Sequence, residues 1–239
     1  MEILILAVVT LPLLTALFLK VANRFLNELL TNFITINAAL LSVAVSFFMF
    51  GYLLLDKFKP IKFELFEWYP SPQIIFEFYL DGLSGVMMIL ISGLSLVIQL
   101  FSTSYMSKDE KYTKYFEYFN FFVFSMLLLV LSGNFLVMFF GWELVGLSSY
   151  LLISFWYEKN SAAKAGNKAF ILNRIGDFGF LIGLMMILNY FETFNFVDIF
   201  DSVLIKQPSN LDLIILFLLL GAFGKSAQIP LFSWLPDAM

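Results

Sequence analysis

Apolar residues in this chain come in long, nearly uninterrupted runs, with polar residues gathered between them. A hydrocarbon core of ~30 Å needs about 20 apolar residues in a helix, and a window of that size gives about seven candidate spans. They lie near 2–22, 33–55, 80–104, 117–133, 135–156, 168–190 and 211–229. The first run, MEILILAVVTLPLLTALFLK, has an acidic residue where a signal peptide would be positive and no small-residue cleavage site, so a retained span is expected. Its Pro12 is tolerated in a transmembrane helix. The pattern predicts an all-α membrane protein.

The connections are short. The charged stretch YMSKDEKYTKYFEY separates the third and fourth spans, and a tight turn at Ser132, Gly133 and Asn134 joins the fourth to the fifth. Between the second and third spans, Phe63, Leu65 and Ile75 alternate with Lys62, Glu64 and Glu77 around Pro70-Ser71-Pro72, which predicts a short outer-side hairpin. Between the sixth and seventh, Phe194, Val197 and Phe200 set against Asn195, Asp198 and Asp201 suggest a helix lying in the interface, with an ordinary loop as the alternative. The chain divides into residues 1–116, holding three spans and the hairpin, and 117–239, holding the remaining four.

Composition narrows the function. The chain of 239 residues is 61% hydrophobic and 13% charged, and a soluble domain carries about a quarter charged residues, so a lipid bilayer is its solvent. Neither cysteine nor histidine is present. That excludes disulfides, thiolate metal sites, histidine-ligated haem and a histidine proton relay. The net charge of −4, without a Lys/Arg cluster, excludes a nucleic-acid partner. Gly82, Gly85 and the other glycines form no phosphate-binding loop, so no cofactor and no metal are expected in this chain.

Basic residues set the orientation. The loops after spans one, three and five hold Lys20, Arg24, Lys108, Lys111, Lys114, Lys159, Lys164 and Lys168, against Lys57, Lys59, Lys62 and Lys206 on the other side. The richer side belongs in the cytoplasm or matrix, which places the N-terminus outside. With no presequence before the first span and 31 Phe suggesting an AT-rich organellar gene, the expected home is the mitochondrial inner membrane, N-terminus toward the intermembrane space, with a bacterial plasma membrane as the alternative.

Two basic residues, Arg174 and Lys225, fall inside spans, and so do Glu143 and Asp177. The two acids lie roughly 12–14 Å deep. Facing lipid, each charge would cost roughly 2.5–3.5 kcal/mol, so all four must face one another, a partner or buried water. Arg174 and Asp177 are three apart on one helix and can pair locally, either as a static salt bridge or as part of a site.

Glu143 and Lys225 are on different helices, each among small residues: Gly141 and Gly146 around the acid, Gly221, Gly224 and Ser226 around the amine. Pro230 lacks an amide hydrogen and crowds the Ser226 carbonyl, so the last helix is expected to break just after Lys225. Broken helices at membrane depth line cavities and recur at ion sites. Desolvation disfavours a lysine's charge and a nearby carboxylate favours it, so a change in the carboxylate's influence switches the lysine's protonation. The expectation is that Glu143 and Lys225 meet and hand on protons, the alternative being a buried structural ion pair beside a kinked helix.

The stretches GWELVGLSSYLLISFWY (141–157), KAFILNRIGDFGFLIG (168–183) and GAFGKSAQIPLFSWLPDAM (221–239) resemble the antiporter-like subunit 5 family of NADH:ubiquinone oxidoreductase, respiratory complex I. The similarity extends more weakly to FYLDGLS (78–84), and residues 1–77 fit only as apolar spans. The resemblance implies the first part of an antiporter-like bundle of two inverted five-helix repeats, each with a broken helix, at the far end of the membrane arm. It implies proton movement driven by electron transfer elsewhere in the complex, with other membrane-arm subunits as partners. Glu143 and Lys225 match the family's glutamate and lysine of the channel, and Arg174 and Asp177 match a segment that tunes it. A full-length member continues past the position of Met239 with an eighth helix, a second repeat and a lateral helix, so a second polypeptide completing the subunit, or a fragment, is expected. The remaining readings are a large subunit of a multisubunit cation/proton antiporter or membrane-bound hydrogenase, and a structural membrane piece with inert charges.

Overall fold

A computed structural model describes residues 1–70, 73–205 and 210–239. The described chain is mostly helical: α1 (Glu2–Ala22), α2 (Glu28–Leu55), α3 (Gly82–Tyr105), α4 (Tyr112–Val130), α5 (Phe135–Ile153), α6 (Asn160–Phe191), α7 (Phe196–Ile205), α8 (Leu211–Lys225) and α9 (Leu235–Ala238). Strands β1 (Ile61–Pro70) and β2 (Gln73–Leu80) pair as a two-stranded sheet where the alternating pattern predicts a hairpin. Its turn residues Ser71 and Pro72 lie outside the described residues, as does Lys206 of the orientation count.

Among the described residues, five helices are long and apolar enough to cross a membrane: α1 with the 3-10 turn after it, α2, α3, α5 and α6. The other two expected spans fall on α4 and α8. The first carries Lys114 and Glu117, and the second has 15 residues, about 22 Å at 1.5 Å per residue, short of a ~30 Å core. Three helices, α2, α4 and α6, begin earlier than hydropathy places them. Asn27 caps α2, its Oδ1 accepting from the Leu30 amide at 2.8 Å. The polar start of α6, NSAAKAGNK, is helical although its charges lower the hydropathy of any window that includes it.

The chain forms two compact units. The first comprises Met1–Phe63 and Glu77–Ser132. In it α1 packs on α4 and α2 on α3. Thr31, Thr35, Ser42 and Ser46 of α2 are buried, as are Ser92, Ser95, Gln99 and Ser102 of α3, while Phe47 and Phe48 point outward. Small polar residues inside and large apolar ones outside invert the soluble arrangement, because the lipid is as apolar as a core and packing is best served by close backbones. Side chains join the helices: Thr31 and Thr113 hydroxyls lie 3.1 Å apart, and Tyr112 donates to Asn32. Asp81 and Ser84 form a capping box that starts α3 within FYLDGLS. Lys62 and Glu77 pair at 2.8 Å at the base of the hairpin.

The second unit comprises Glu64–Phe76 and Gly133–Met239. Its core is built from Phe180, Leu184, Ile187, Phe194, Ile199 and Ile214. The segment expected as an interface helix is helical, as α7, but it buries Ile199 and exposes Val197 and Phe200. Phe200 instead stacks on Phe196, which meets Phe135 edge-on at the start of α5. Asn134 fixes that start twice. Its Oδ1 accepts from the Val137 amide at 2.8 Å, and its Nδ2 donates to the Ile75 carbonyl of β2 at 2.7 Å.

Candidate functional site

Helices α5, α6 and α8 of the second unit bring Glu143, Arg174, Asp177 and Lys225 together. The contact between α6 and α8 is glycine-lined: a Cβ at Gly224 would lie 3.3 Å from the Gly176 Cα, and one at Gly176 would lie 3.1 Å from the Leu220 carbonyl oxygen. Side chains at either position would hold the backbones apart. The close approach sets Asp177, next to Gly176, beside Lys225, next to Gly224.

The charges form a row. Arg174 Nη1 is ion-paired with Glu143 Oε2 and lies 3.9 Å from Asp177 Oδ2. Lys225 Nζ lies 3.7 Å from that same Oδ2. Negative and positive groups therefore alternate from Glu143 through Arg174 and Asp177 to Lys225, and the row sums to zero. Burial differs from member to member: the side chain of Glu143 is 23% exposed, that of Arg174 39%, that of Asp177 only 4% and that of Lys225 18%. Arg174, the most exposed member, borders a cleft of about 360 Å³ also lined by Phe170, Ile171, Ile175 and Phe178, with the guanidinium 4.7 Å over the Phe170 ring.

The expected direct meeting of Glu143 and Lys225 is replaced by two other pairs, because helix rotation separates their faces. Residues one apart on a helix point about 100° away from each other, whereas residues four apart stack. Lys225 packs on the α5 face that carries Trp142 and Gly146: its Nζ is 5.7 Å from the Trp142 ring centre, and a Cβ at Gly146 would come within 2.5 Å of it. Glu143 points to the adjacent face, where the long Arg174 side chain reaches it from α6. The expected local pair Arg174–Asp177 is present, at the long end of ion-pair distance.

Trp142 is a member of the site that the charge pattern alone did not single out. Its Nε1 donates to Asp177 Oδ1 at 2.6 Å, and its ring stacks on Phe180 at 5.0 Å. The available signal was that a tryptophan inside an apolar span needs an acceptor for its N–H, and acceptors there are few.

Helix α8 ends at Lys225. Its final carbonyls find partners in the irregular segment that follows: the Ser226 hydroxyl and amide donate to Ala222, the Gln228 amide to Phe223, and the Trp234 indole to Gly224 at 3.0 Å. Ala227 takes the left-handed conformation, φ 51°. Lys168 near the start of α6 pairs with Asp237 of α9 at 2.7 Å, which anchors the far side of that segment.

Residues 132–239 match the family described as NADH:quinone oxidoreductase/Mrp antiporter, transmembrane, and residues 68–116 match the NADH-ubiquinone oxidoreductase (complex I) chain 5 N-terminus. A curated relative, NADH-ubiquinone oxidoreductase chain 5 of Metridium senile, is 38% identical over 97% of this chain and 39% of its own length. The chain belongs to the antiporter-like subunit 5 family of NADH:quinone oxidoreductase. NADH-quinone oxidoreductase subunit L of Rickettsia bellii is 37% identical over 97% of the chain and 38% of its own length. The chain thus spans under two fifths of these relatives and corresponds to the N-terminal part of the subunit 5 family pattern. A solved Mrp complex from Dietzia sp. shares the fold, with a TM-score of 0.79 at 23% identity over 96% of this chain and 25% of that one. All four charges and Trp142 lie within the matched residues 132–239.

Proposed function

We propose that this chain is the N-terminal part of a proton-translocating membrane-arm subunit of respiratory NADH:ubiquinone oxidoreductase. The observation that carries the reading is the alternating row Glu143, Arg174, Asp177, Lys225, held between three helices and ending on the last residue of α8. A row of compensated charges at membrane depth costs little while its members stay paired, and passing a proton along it changes one pairing at a time. Lys225 carries the proton beside the irregular segment, Asp177 holds its charge, and Arg174 relays changes to Glu143. Moving one charge against 100 mV takes about 2.3 kcal/mol, which electron transfer at redox groups elsewhere in the complex supplies.

In this reading α4 and α8 join the five apolar helices as spans, and residues 117–239 form the incomplete first repeat of an inverted-repeat bundle whose broken helix runs through Lys225 and Pro230. Other membrane-arm subunits surround it. The Lys/Arg asymmetry supports an N-terminus on the outer side, and the composition supports the mitochondrial inner membrane.

The test is Lys225→Ala in the assembled complex, reconstituted in vesicles with a pH-sensitive dye. Proton uptake driven by NADH oxidation is expected to be lost while the complex still assembles, and uptake at the full rate would overturn the reading. The fold shared with the Mrp complex favours one alternative, a large subunit of a cation/proton antiporter. Co-purification with NADH dehydrogenase activity supports the first reading, and its absence favours the second.

A further inference from the structure

Lys225 and Asp177 are near one another without touching. The separation of 3.7 Å exceeds hydrogen-bonding distance, and neither Nζ nor Oδ2 has a hydrogen-bond partner among the described residues. Oppositely charged groups this deep normally close into a hydrogen-bonded pair, since the low-dielectric interior strengthens their attraction. One side chain touches both members. The Trp142 indole donates to Oδ1, the other oxygen of the same carboxylate, and presents its ring to the ammonium 5.7 Å from the ring centre.

The indole is itself fixed. Its ring lies on Phe180 at an interplanar angle of 24°, and Phe180 stacks in turn on Phe139 at 5.7 Å. Trp142 and Phe139 are on α5 and Phe180 is on α6, so the tryptophan is clamped between the two helices that carry the row. A rigid donor bound to one carboxylate oxygen restrains rotation of the Asp177 side chain, and the ring face offers the ammonium a second attractive surface that carries no formal charge.

We infer that Trp142 is a positioning residue that holds the Lys225–Asp177 pair open: its N–H restrains the carboxylate, and its ring supplies the lysine with an alternative resting place. The inference rests on the proton-transfer reading above. A closed pair would trap the ammonium on Asp177, whereas a pair held slightly apart lets the lysine leave. Trp142→Phe keeps an aromatic surface and removes the donor, so the carboxylate turns onto Lys225 and the proton leaves more slowly.

The experiment uses the assembled complex in vesicles. Trp142→Phe is expected to lower proton uptake per NADH oxidised about tenfold, the scale of one hydrogen bond to a charged group. Assembly and electron transfer from NADH to an artificial acceptor should stay unchanged. Independently of pumping, ultraviolet resonance Raman difference spectra between Asp177→Asn and the unaltered complex should show an indole N–H band moving from strong to weak hydrogen bonding. A band that stays in place overturns the inference, as does full pumping by Trp142→Phe, and should that variant fail to assemble the Raman result alone decides. Lys225→Ala that pumps normally overturns the underlying reading, whereas silent Lys225→Ala beside fully active Trp142→Phe overturns this inference alone.

Discussion

Asp177 shares one carboxylate between two helices: Oδ1 accepts from Trp142 of α5, and Oδ2 faces Lys225 of α8. It is the most buried member of the row and the one that every other charged member except Glu143 approaches within 4 Å. Loss of this residue disturbs both neighbours.

Removal of Asp177 alone leaves the Lys225 ammonium without its nearest countercharge. Breaking a buried pair from one side costs about 3–5 kcal/mol, whereas removing both charges is close to neutral. Asp177→Ala should destabilise the assembled subunit by roughly 3 kcal/mol, near the lower end because Lys225 keeps some exposure, and Asp177→Ala/Lys225→Ala should recover most of it. Denaturant titration of the two variants checks the ordering.

Gly146 tests position separately from stability. A Cβ there would meet only the end of the flexible lysine stem, so Gly146→Ala should leave the unfolding midpoint nearly unchanged while displacing Nζ from the Trp142 face. Proton uptake by the assembled complex should fall several-fold.

Gly176 gives the opposite result. Its added methyl would meet backbone, the Leu220 carbonyl and the Gly224 Cα, neither of which can rotate away. Gly176→Ala should cost about 1–3 kcal/mol through forced separation of α6 and α8. Thermal unfolding in detergent measures it.

Asn134 joins a helix cap to strand β2, and two substitutions separate these roles. Asn134→Asp keeps the acceptor for Val137 but lacks the donor to Ile75, while Asn134→Ala loses both. The alanine variant should lose about 1–2 kcal/mol more than the aspartate variant, the scale of one N-cap. Limited proteolysis around residues 64–76 and unfolding midpoints should rank the variants Ala, Asp, Asn in increasing resistance.

Much of the fold was legible from hydropathy because lipid imposes one rule on the whole of a span. The long apolar helices and the four charges set within apolar runs follow from it, and the hairpin follows from the alternation of apolar and charged residues between two of those runs. Helix ends at α2 and α6 did not, since capping by Asn27 and the helical propensity of NSAAKAGNK extend a helix beyond its apolar part. Which charge meets which was equally hidden. The exchange of the Glu143–Lys225 pair for Glu143–Arg174 and Asp177–Lys225 turns on about 100° of rotation of α5, a quantity that a list of charges and depths does not contain. The buried face of α7 escaped for the same reason: Ile199 and Phe200 are adjacent in sequence, and only docking decides between them.

The glycine seam between α6 and α8 has a mechanical consequence. With Gly176 and Gly224 in backbone contact, the two helices behave as one girder, able to tilt together but poorly suited to spreading. Asp177 and Lys225 ride on that girder, so a stroke that parts them must come from the lysine's own swing at the C-terminal end of α8, over a few ångströms and without any large displacement of the surrounding rods.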